Sequence, residues 1–368
     1  MKLKFNRQEV ADALSAICSV VSVRTPKEIL KCVHVEAQAD VLLLSATDLE
    51  LSLQCAVTQV EVAKPGETLV VADTLNRIVR ECVDEILTVE TTGNNLEVRG
   101  TGSRFQIVTQ APADFPPVPK MEGEPSFVIA HDELRRLFEW TVFAAAREST
   151  RYAINGVLWE VEGDQFTLAA TDGRRLSVAK TKLPKPAKHA VPQAIVPTKA
   201  LQLFGRLNAD ADTMVEVKIT SNQLRLKTAG FTMSSNLVEG HFPRYQDVVP
   251  TDCDRTAELN TAEFNSALRR AALLTNEESK GVRLSFDNGT LTLSSRAPEQ
   301  GEATISVPVR YTGTPTEIGF NPIFLMDVLR VTREDDVVFA FKEANRPGLL
   351  RVGDDLLHVV MPVNLSSG

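Results

Sequence analysis

Apolar side chains recur along this chain in two rhythms. Val10, Leu14, Ile17 and Val21 follow one another at steps of three and four, and Phe264, Ala267, Leu268 and Ala271 fall at i, i+3, i+4 and i+7. Each set lines one narrow face of a helix and leaves the opposite face polar. Elsewhere the text turns to alternating, β-branched runs, as at 41–47, 166–171 and 290–294. These predict strands, with Gly93-Asn94-Asn95 and Asp287-Asn288-Gly289 as hairpin turns.

The helical windows are announced by similar text. Phe5-Asn6-Arg7-Gln8-Glu9-Val10, Ile129-Ala130-His131-Asp132-Glu133-Leu134 and Leu259-Asn260-Thr261-Ala262-Glu263-Phe264 each open one. A period of about 125 residues is a whole domain, so three similar domains lie in series. Each repeat holds a second signal: Val71-Ala72-Asp73-Thr74-Leu75, Val196-Pro197-Thr198-Lys199-Ala200 and Phe320-Asn321-Pro322-Ile323-Phe324. Helices are therefore expected to begin near positions 7, 73, 131, 198, 261 and 322. Each domain is then a doubled unit, one helix plus three or four strands in each half, and the fold class is α+β. Asn6 and Asn260 can cap their helices, with Glu9 and Glu263 three residues on as in a capping box. Ala130 breaks that pattern, so the second repeat has to cap its helix in another way. Pro197 and Pro322 suit a first turn. Pro-rich joints at 115–119 and 242–250 divide the chain into domains 1–120, 126–250 and 254–365.

The 368 residues carry 48 acidic against 40 basic side chains, a formal charge of −8 that argues against a simple nucleic-acid binder. No apolar run is long enough to span a bilayer, and the N-terminal text lacks a signal peptide's apolar core. Five cysteines, odd in number and never at two-residue spacing, read as reduced core thiols of a cytoplasmic protein. The five histidines are scattered, without metal-ligand spacing. Neither GxxxxGK[ST] nor GxSxG occurs, and Gly100-Thr101-Gly102 lacks the third glycine of a dinucleotide fingerprint. The strongest catalytic candidates are Asp48 and Asp172, each in an Ala-Thr-Asp triplet. Together they could serve a metal-dependent nuclease. Their equivalent places in two repeats favour a structural role instead, carboxylates accepting turn amides. No cofactor, metal or catalytic residue is expected, which points to a binding or scaffolding protein.

Basic residues nevertheless recur on the helices: Arg77 and Arg80, Arg135 and Arg136, Lys199 and Arg206, Arg269 and Arg270, Arg330 and Arg333. One such pair is an ordinary solvated face. Repeated in all three domains, they would form a basic lining that attracts phosphates without reading bases, if the helices share one surface.

Several short segments occur in a characteristic order: Met1-Lys2-Leu3, Arg24-Thr25-Pro26, Arg151-Tyr152-Ala153-Ile154-Asn155-Gly156, Ala170-Thr171-Asp172-Gly173-Arg174-Arg175-Leu176, Gly240-His241-Phe242-Pro243-Arg244-Tyr245, Gly281-Val282-Arg283-Leu284, Phe320-Asn321-Pro322 and Val359-Val360-Met361-Pro362-Val363-Asn364-Leu365. With the threefold repeat, the whole chain resembles the bacterial DNA polymerase III beta subunit family, the sliding clamps that act as processivity factors. The resemblance implies a head-to-tail homodimer whose six clamp-type domains close a ring around duplex DNA, helices inside and sheets outside. Phe105 and Ile107, with Leu273 and Leu274, are the implied dimer contacts, ordinary core being the competing reading for these four. For DNA the implied residues are Arg24, Tyr152, Lys199 and Lys280. The resemblance further implies a pocket that takes a peptide of the form Gln-Leu-x-Leu-Phe from the polymerase catalytic subunit, the clamp loader and repair proteins. Its residues here would be Ile154, Thr171, Gly173, Arg174, Arg175, Leu176, Pro243, Val248, Asn321, Phe324, Val359, Met361, Pro362, Val363 and Leu365. Asp247, Arg174, Phe324 and Asn364 depart from the family's usual basic, histidine, tyrosine and arginine residues, which bears on peptide preference.

Overall fold

The computed structural model describes residues 1–21, 25–148, 153–187, 189–275, 281–298, 300–311 and 313–365. The fold is α+β. Its helices start within one residue of the expected positions: α1 Arg7–Val20, α2 Ala72–Glu81, α3 His131–Glu139, α4 Thr198–Phe204, α5 Thr261–Ala271 and α6 Pro322–Val331.

The first helix of every repeat begins with the same long-range bond. Its leading amide donates to a backbone carbonyl at the strand entry of the other half-repeat: Arg7 to Glu85 (2.8 Å), His131 to Thr213 (2.8 Å) and Thr261 to Asp335 (2.8 Å). One orphan donor of each helix is thereby satisfied by tertiary structure. This is how α3 starts after Ala130, whose methyl side chain cannot cap. Asn6 and Asn260 do cap, accepting from the amides of Glu9 and Glu263 at 3.1 Å each. The reciprocal half of the first capping box differs from expectation. The Asn6 amide is taken by the Gln59 carbonyl (3.0 Å), and the Glu9 carboxylate accepts instead from Thr58 (3.2 Å) and Gln59 (3.1 Å).

The chain splits into two compact units, Met1–Arg135 with Pro184–Leu237, and Arg136–Leu183 with Val238–Gly368. In the first, an antiparallel sheet runs Val60–Lys64, Lys2–Asn6, Ile86–Thr92, Asn95–Gly100 and Ser103–Val108. A second sheet joins strands of the first and central repeats at a seam where Phe231–Asn236 pairs antiparallel with Leu51–Val57. Helix α1 buries Val10, Leu14, Ile17 and Val20 and packs on α2, where Leu75 and Val79 are buried, and on the strands Leu42–Thr47 and Leu51–Val57.

The second compact unit repeats this plan. An antiparallel sheet runs through Gly156–Glu162, Gln165–Thr171, Arg175–Lys182, Leu356–Val360, Gly348–Val352 and Asp336–Phe341. Its seam between the central and third repeats sets Arg175–Lys182 against Leu356–Val360. The other sheet is ordered Gly301–Pro308, Thr290–Ala297, Val282–Asp287 and Thr316–Phe320. Phe286, Tyr311, Phe339 and Phe341 form an aromatic cluster with centroids 4.6–6.0 Å apart, the offset geometry that such rings prefer. Both hairpin turns read from the sequence are present, with Gly93 and Gly289 at φ +58° and +77°.

Candidate functional site

A cavity of about 250 Å³ opens in the second compact unit where its seam ends. Its floor is the turn that joins two strands at 171–176. The Thr171 hydroxyl donates to the Arg175 carbonyl (2.6 Å) and accepts from the Gly173 amide (3.1 Å). One oxygen of Asp172 accepts from the amides of Arg174 (2.9 Å) and Arg175 (3.1 Å). Gly173 stands at φ +85°, the left-handed conformation that glycine tolerates without strain.

Arg175 fixes this turn to its surroundings. Its guanidinium donates to Asp172 (3.1 Å), Asp327 (2.6 Å) and the Phe143 carbonyl (2.5 Å), and it stacks 4.6 Å from the Phe324 ring centroid. Only 10% of the side chain is exposed. A cation shared between two carboxylates and an aromatic face has little freedom to reorient. Beneath it lies His358, fully buried, its Nε2 3.1 Å from the Phe324 carbonyl oxygen. Burial above all, and then the positive charge of Arg175, holds this imidazole down to about 3.

The walls are apolar: Ile154, Leu176, Pro243, Val248, Val359 and Met361. Val248 and Met361 remain 52% and 43% exposed, so the rim is greasy as well as the interior. Tyr245 closes one side, its hydroxyl donating to Glu160 (2.8 Å). Burial and this carboxylate push the phenol well above its usual range. Arg174 and Arg244 supply positive charge at the edge.

The structure thus brings together Ile154, Thr171, Gly173, Arg174, Arg175, Leu176, Pro243, Val248, Val359 and Met361 around one cavity. It does not place Asn321, Phe324, Pro362, Val363 or Leu365 in the lining. Asn321 caps α6 through the Ile323 amide (3.0 Å), Phe324 lies under Arg175, and Val363 and Leu365 lie against Gly281 and Gly319. Arg244 and Tyr245 line the cavity without having been expected there. Tyr245 lies between Pro243 and Pro250 beside Arg244, Gln246 and Asp247, so nothing local marks it for burial, and the partner of its polar tip, Glu160, is distant in sequence.

Lys199, Phe105, Ile107, Leu273 and Leu274 are not among the residues that line this cavity. In the first compact unit Lys199 makes an ion pair with Asp48. Arg24, Tyr152 and Lys280 lie outside the described residues. Phe105 and Ile107 sit on Ser103–Val108, an edge strand, with Ile107 buried and Phe105 half-buried. Leu273, 76% exposed, and half-buried Leu274 belong to the short turn after α5. Asp48 accepts from the amides of Glu50 (3.0 Å) and Leu51 (2.7 Å). Both aspartates therefore hold turns, and among the described residues no cluster of His, Cys, Asp and Glu could hold a metal. The nuclease alternative has no support. All five cysteines are free, and among the described residues no helix is long and apolar enough to cross a membrane.

Three family models for the DNA polymerase III beta subunit match the chain in series: N-terminal domain over residues 1–119, central domain over 128–244 and C-terminal domain over 246–364. The chain is 35% identical to the beta sliding clamp of Pseudomonas aeruginosa and 31% to that of Escherichia coli, covering 99% of this chain and 100% of each relative. The fold is similar to the crystal structure of the P. aeruginosa sliding clamp bound to griselimycin (TM-score 0.94, 34% identity, 99% and 100% of the chains). It is also similar to that of the Bacillus subtilis clamp (TM-score 0.92, 26% identity, 99% of each chain).

Proposed function

This chain belongs to the DNA polymerase III beta subunit family and is a sliding clamp; on that premise we propose that two copies close a ring around duplex DNA and tether the replicative polymerase through the cavity at Arg175. The ring has no reaction of its own and works in the cytoplasm. The observation that carries the tethering half is the cavity itself. A shaped apolar cup with an immobile floor suits the leucine and phenylalanine anchors of a short peptide, and flexible Met361 adapts to them. The polymerase catalytic subunit, the clamp loader and repair proteins are the partners this reading supplies with such a peptide.

Closure is supported by two open sheet edges. Ser103–Val108 in the first compact unit and Gly301–Pro308 in the second each have one unpaired side among the described strands. An edge left free on both units suits a heterologous, head-to-tail contact between copies, with Phe105, Ile107, Leu273 and Leu274 near it. Sedimentation at micromolar concentration should give a species near twice the 40.3 kDa chain mass. A monomer at that concentration would contradict the ring.

The grip on DNA is topological in this reading. The chain is acidic overall, while Arg77, Arg80, Lys199, Arg206, Arg269, Arg270, Arg330 and Arg333 are all exposed. Duplex phosphates would compete with Asp48 for Lys199. Such contacts are sequence-independent and salt-sensitive, and weak ones allow sliding. Protein loaded onto circular DNA should stay bound in moderate salt and be lost when the circle is cut. Equal retention on circular and linear DNA would contradict enclosure.

A further inference from the structure

The inference rests on the reading of the Arg175 cavity as a peptide site. Beyond Val360 the chain leaves the sheet and runs past two glycines. The Met361 amide donates to the Arg174 carbonyl (2.9 Å) and the Val363 amide to the Gly319 carbonyl (2.8 Å). A methyl group on Gly319 would stand 2.6 Å from the Val363 carbonyl oxygen and 2.8 and 2.9 Å from Cγ and Cδ1 of Leu365. On Gly281 it would run into Cδ2 of Leu365 and stand 2.9 Å from Cγ2 of Val363. Carbon contacts relax to about 3.5–4.0 Å, so neither methyl fits unless the tail moves.

Neither glycine is in the left-handed region, so space and not backbone freedom requires it. Gly319 lies inside the strand Thr316–Phe320. A glycine there weakens the strand and marks the close approach of another backbone. That strand is also a sheet edge, and the tail covers it at Val363.

We propose that Gly281 and Gly319 are positioning residues for the peptide cavity: they form a socket for Leu365, and the seated tail holds Met361 in the cavity wall. Pro362, with its fixed φ, makes the short connection between socket and wall stiff. The two glycines act differently. A methyl at 281 meets only side-chain ends, which can rotate away. A methyl at 319 meets the Val363 backbone, which cannot.

The test uses the full chain, a fluorescein-labelled Gln-Leu-Ser-Leu-Phe peptide, and hydrogen exchange at the Met361 and Val363 amides. Wild type should bind the peptide and exchange Val363 slowly. Gly319→Ala should weaken binding roughly tenfold or more, speed Val363 exchange and retain a cooperative unfolding transition. Gly281→Ala should have a smaller effect, which disappears in a Leu365→Ala background because its obstacle is gone. Gly319→Ala should still weaken binding in that background. Slow Val363 exchange in Gly319→Ala overturns the socket, and wild-type affinity in a variant whose tail exchanges fast overturns the coupling. A wild type that binds no peptide overturns the reading of the cavity, and the coupling with it. The exchange data would then still report whether the socket exists.

Discussion

The two compact units contain the same turn and put it to different uses. In the first, the Thr47 hydroxyl bonds to Leu49 and Leu51, and Asp48 accepts from the amides of Glu50 and Leu51. In the second, Thr171 and Asp172 make the equivalent bonds around Gly173, Arg174 and Arg175. Even the strand that follows is held alike: the Asn236 amide donates to the Glu50 carbonyl (2.8 Å), as Met361 does to Arg174 (2.9 Å). The scaffold is duplicated and the side chains on it are not. Leu51 stands for Arg175, Leu203 for Asp327, Glu50 for Arg174, Asn236 for Met361 and Met233 for His358. One unit has buried leucines at the positions of Arg175 and Asp327, and a carboxylate and an amide at those of Arg174 and Met361. The other crosses the same space with an ion pair, and an apolar cup opens beside it.

Transferring the first solution into the second unit tests this most severely. Arg175→Leu leaves Asp172, 21% exposed, without its cation and Asp327, 16% exposed, with only Arg330 at 3.9 Å, and should destabilise by on the order of 3 kcal/mol in urea unfolding. Adding Asp327→Leu reproduces the pair Leu51 and Leu203, both buried, and should recover at least half of the loss. A double variant no more stable than the single one would show that the two units are not interchangeable at this position.

The pair His358 and Met233 separates the units by pH. The folded imidazole is held down to about 3 against its ordinary 6.5. Between those values the unfolded chain binds the extra proton, so stability is intact above pH 6.5 and falls as pH drops toward 3. At about 1.4 kcal/mol per pH unit for one proton, the loss is about 2 kcal/mol by pH 5. His358→Met, copied from the first unit, should remove that share of the acid dependence. An unchanged pH profile would contradict the burial argument.

The smallest effect concerns the backbone. Leu49 holds φ +80° where Gly173 holds +85°, and a methyl on Gly173 meets nothing within 4 Å. Gly173→Ala should therefore cost about 1 kcal/mol from backbone strain alone. Leu49→Gly should shift stability the other way by up to a similar amount, since the left-handed conformation costs L-residues about 1–2 kcal/mol. Equal and same-signed effects would break the correspondence between the turns.

Much of the scaffold was legible because its signals are local. Asn6, Asn260 and Pro322 mark helix starts within a few residues of the amides they serve, and Gly93 and Gly289 mark their hairpins. The start of α3 was placed by the repeat and not by its cap, because the capping carbonyl of Thr213 is distant in sequence. The partner of the Asn6 amide is hidden for the same reason: the distant Gln59 carbonyl takes it, and Glu9 does not close the capping box. The cavity was legible only through resemblance. By pattern alone, Val359, Val360 and Met361 are a core strand, and Val359 and Val360 are buried as such. Tyr245 escaped because its meaning depends on Glu160, 85 residues away. Leu365 was expected in the cavity wall, yet it packs on two glycines whose small size carries no sign of what approaches them.

The most direct measurement is the stoichiometry of the fluorescent Gln-Leu-Ser-Leu-Phe peptide on the full chain, compared between wild type, Met361→Asn and Asn236→Met. If only the second turn carries a docking cup, one peptide binds per chain, Met361→Asn abolishes it, and Asn236→Met leaves it unchanged. Two peptides per chain, or binding that survives Met361→Asn, would contradict the account.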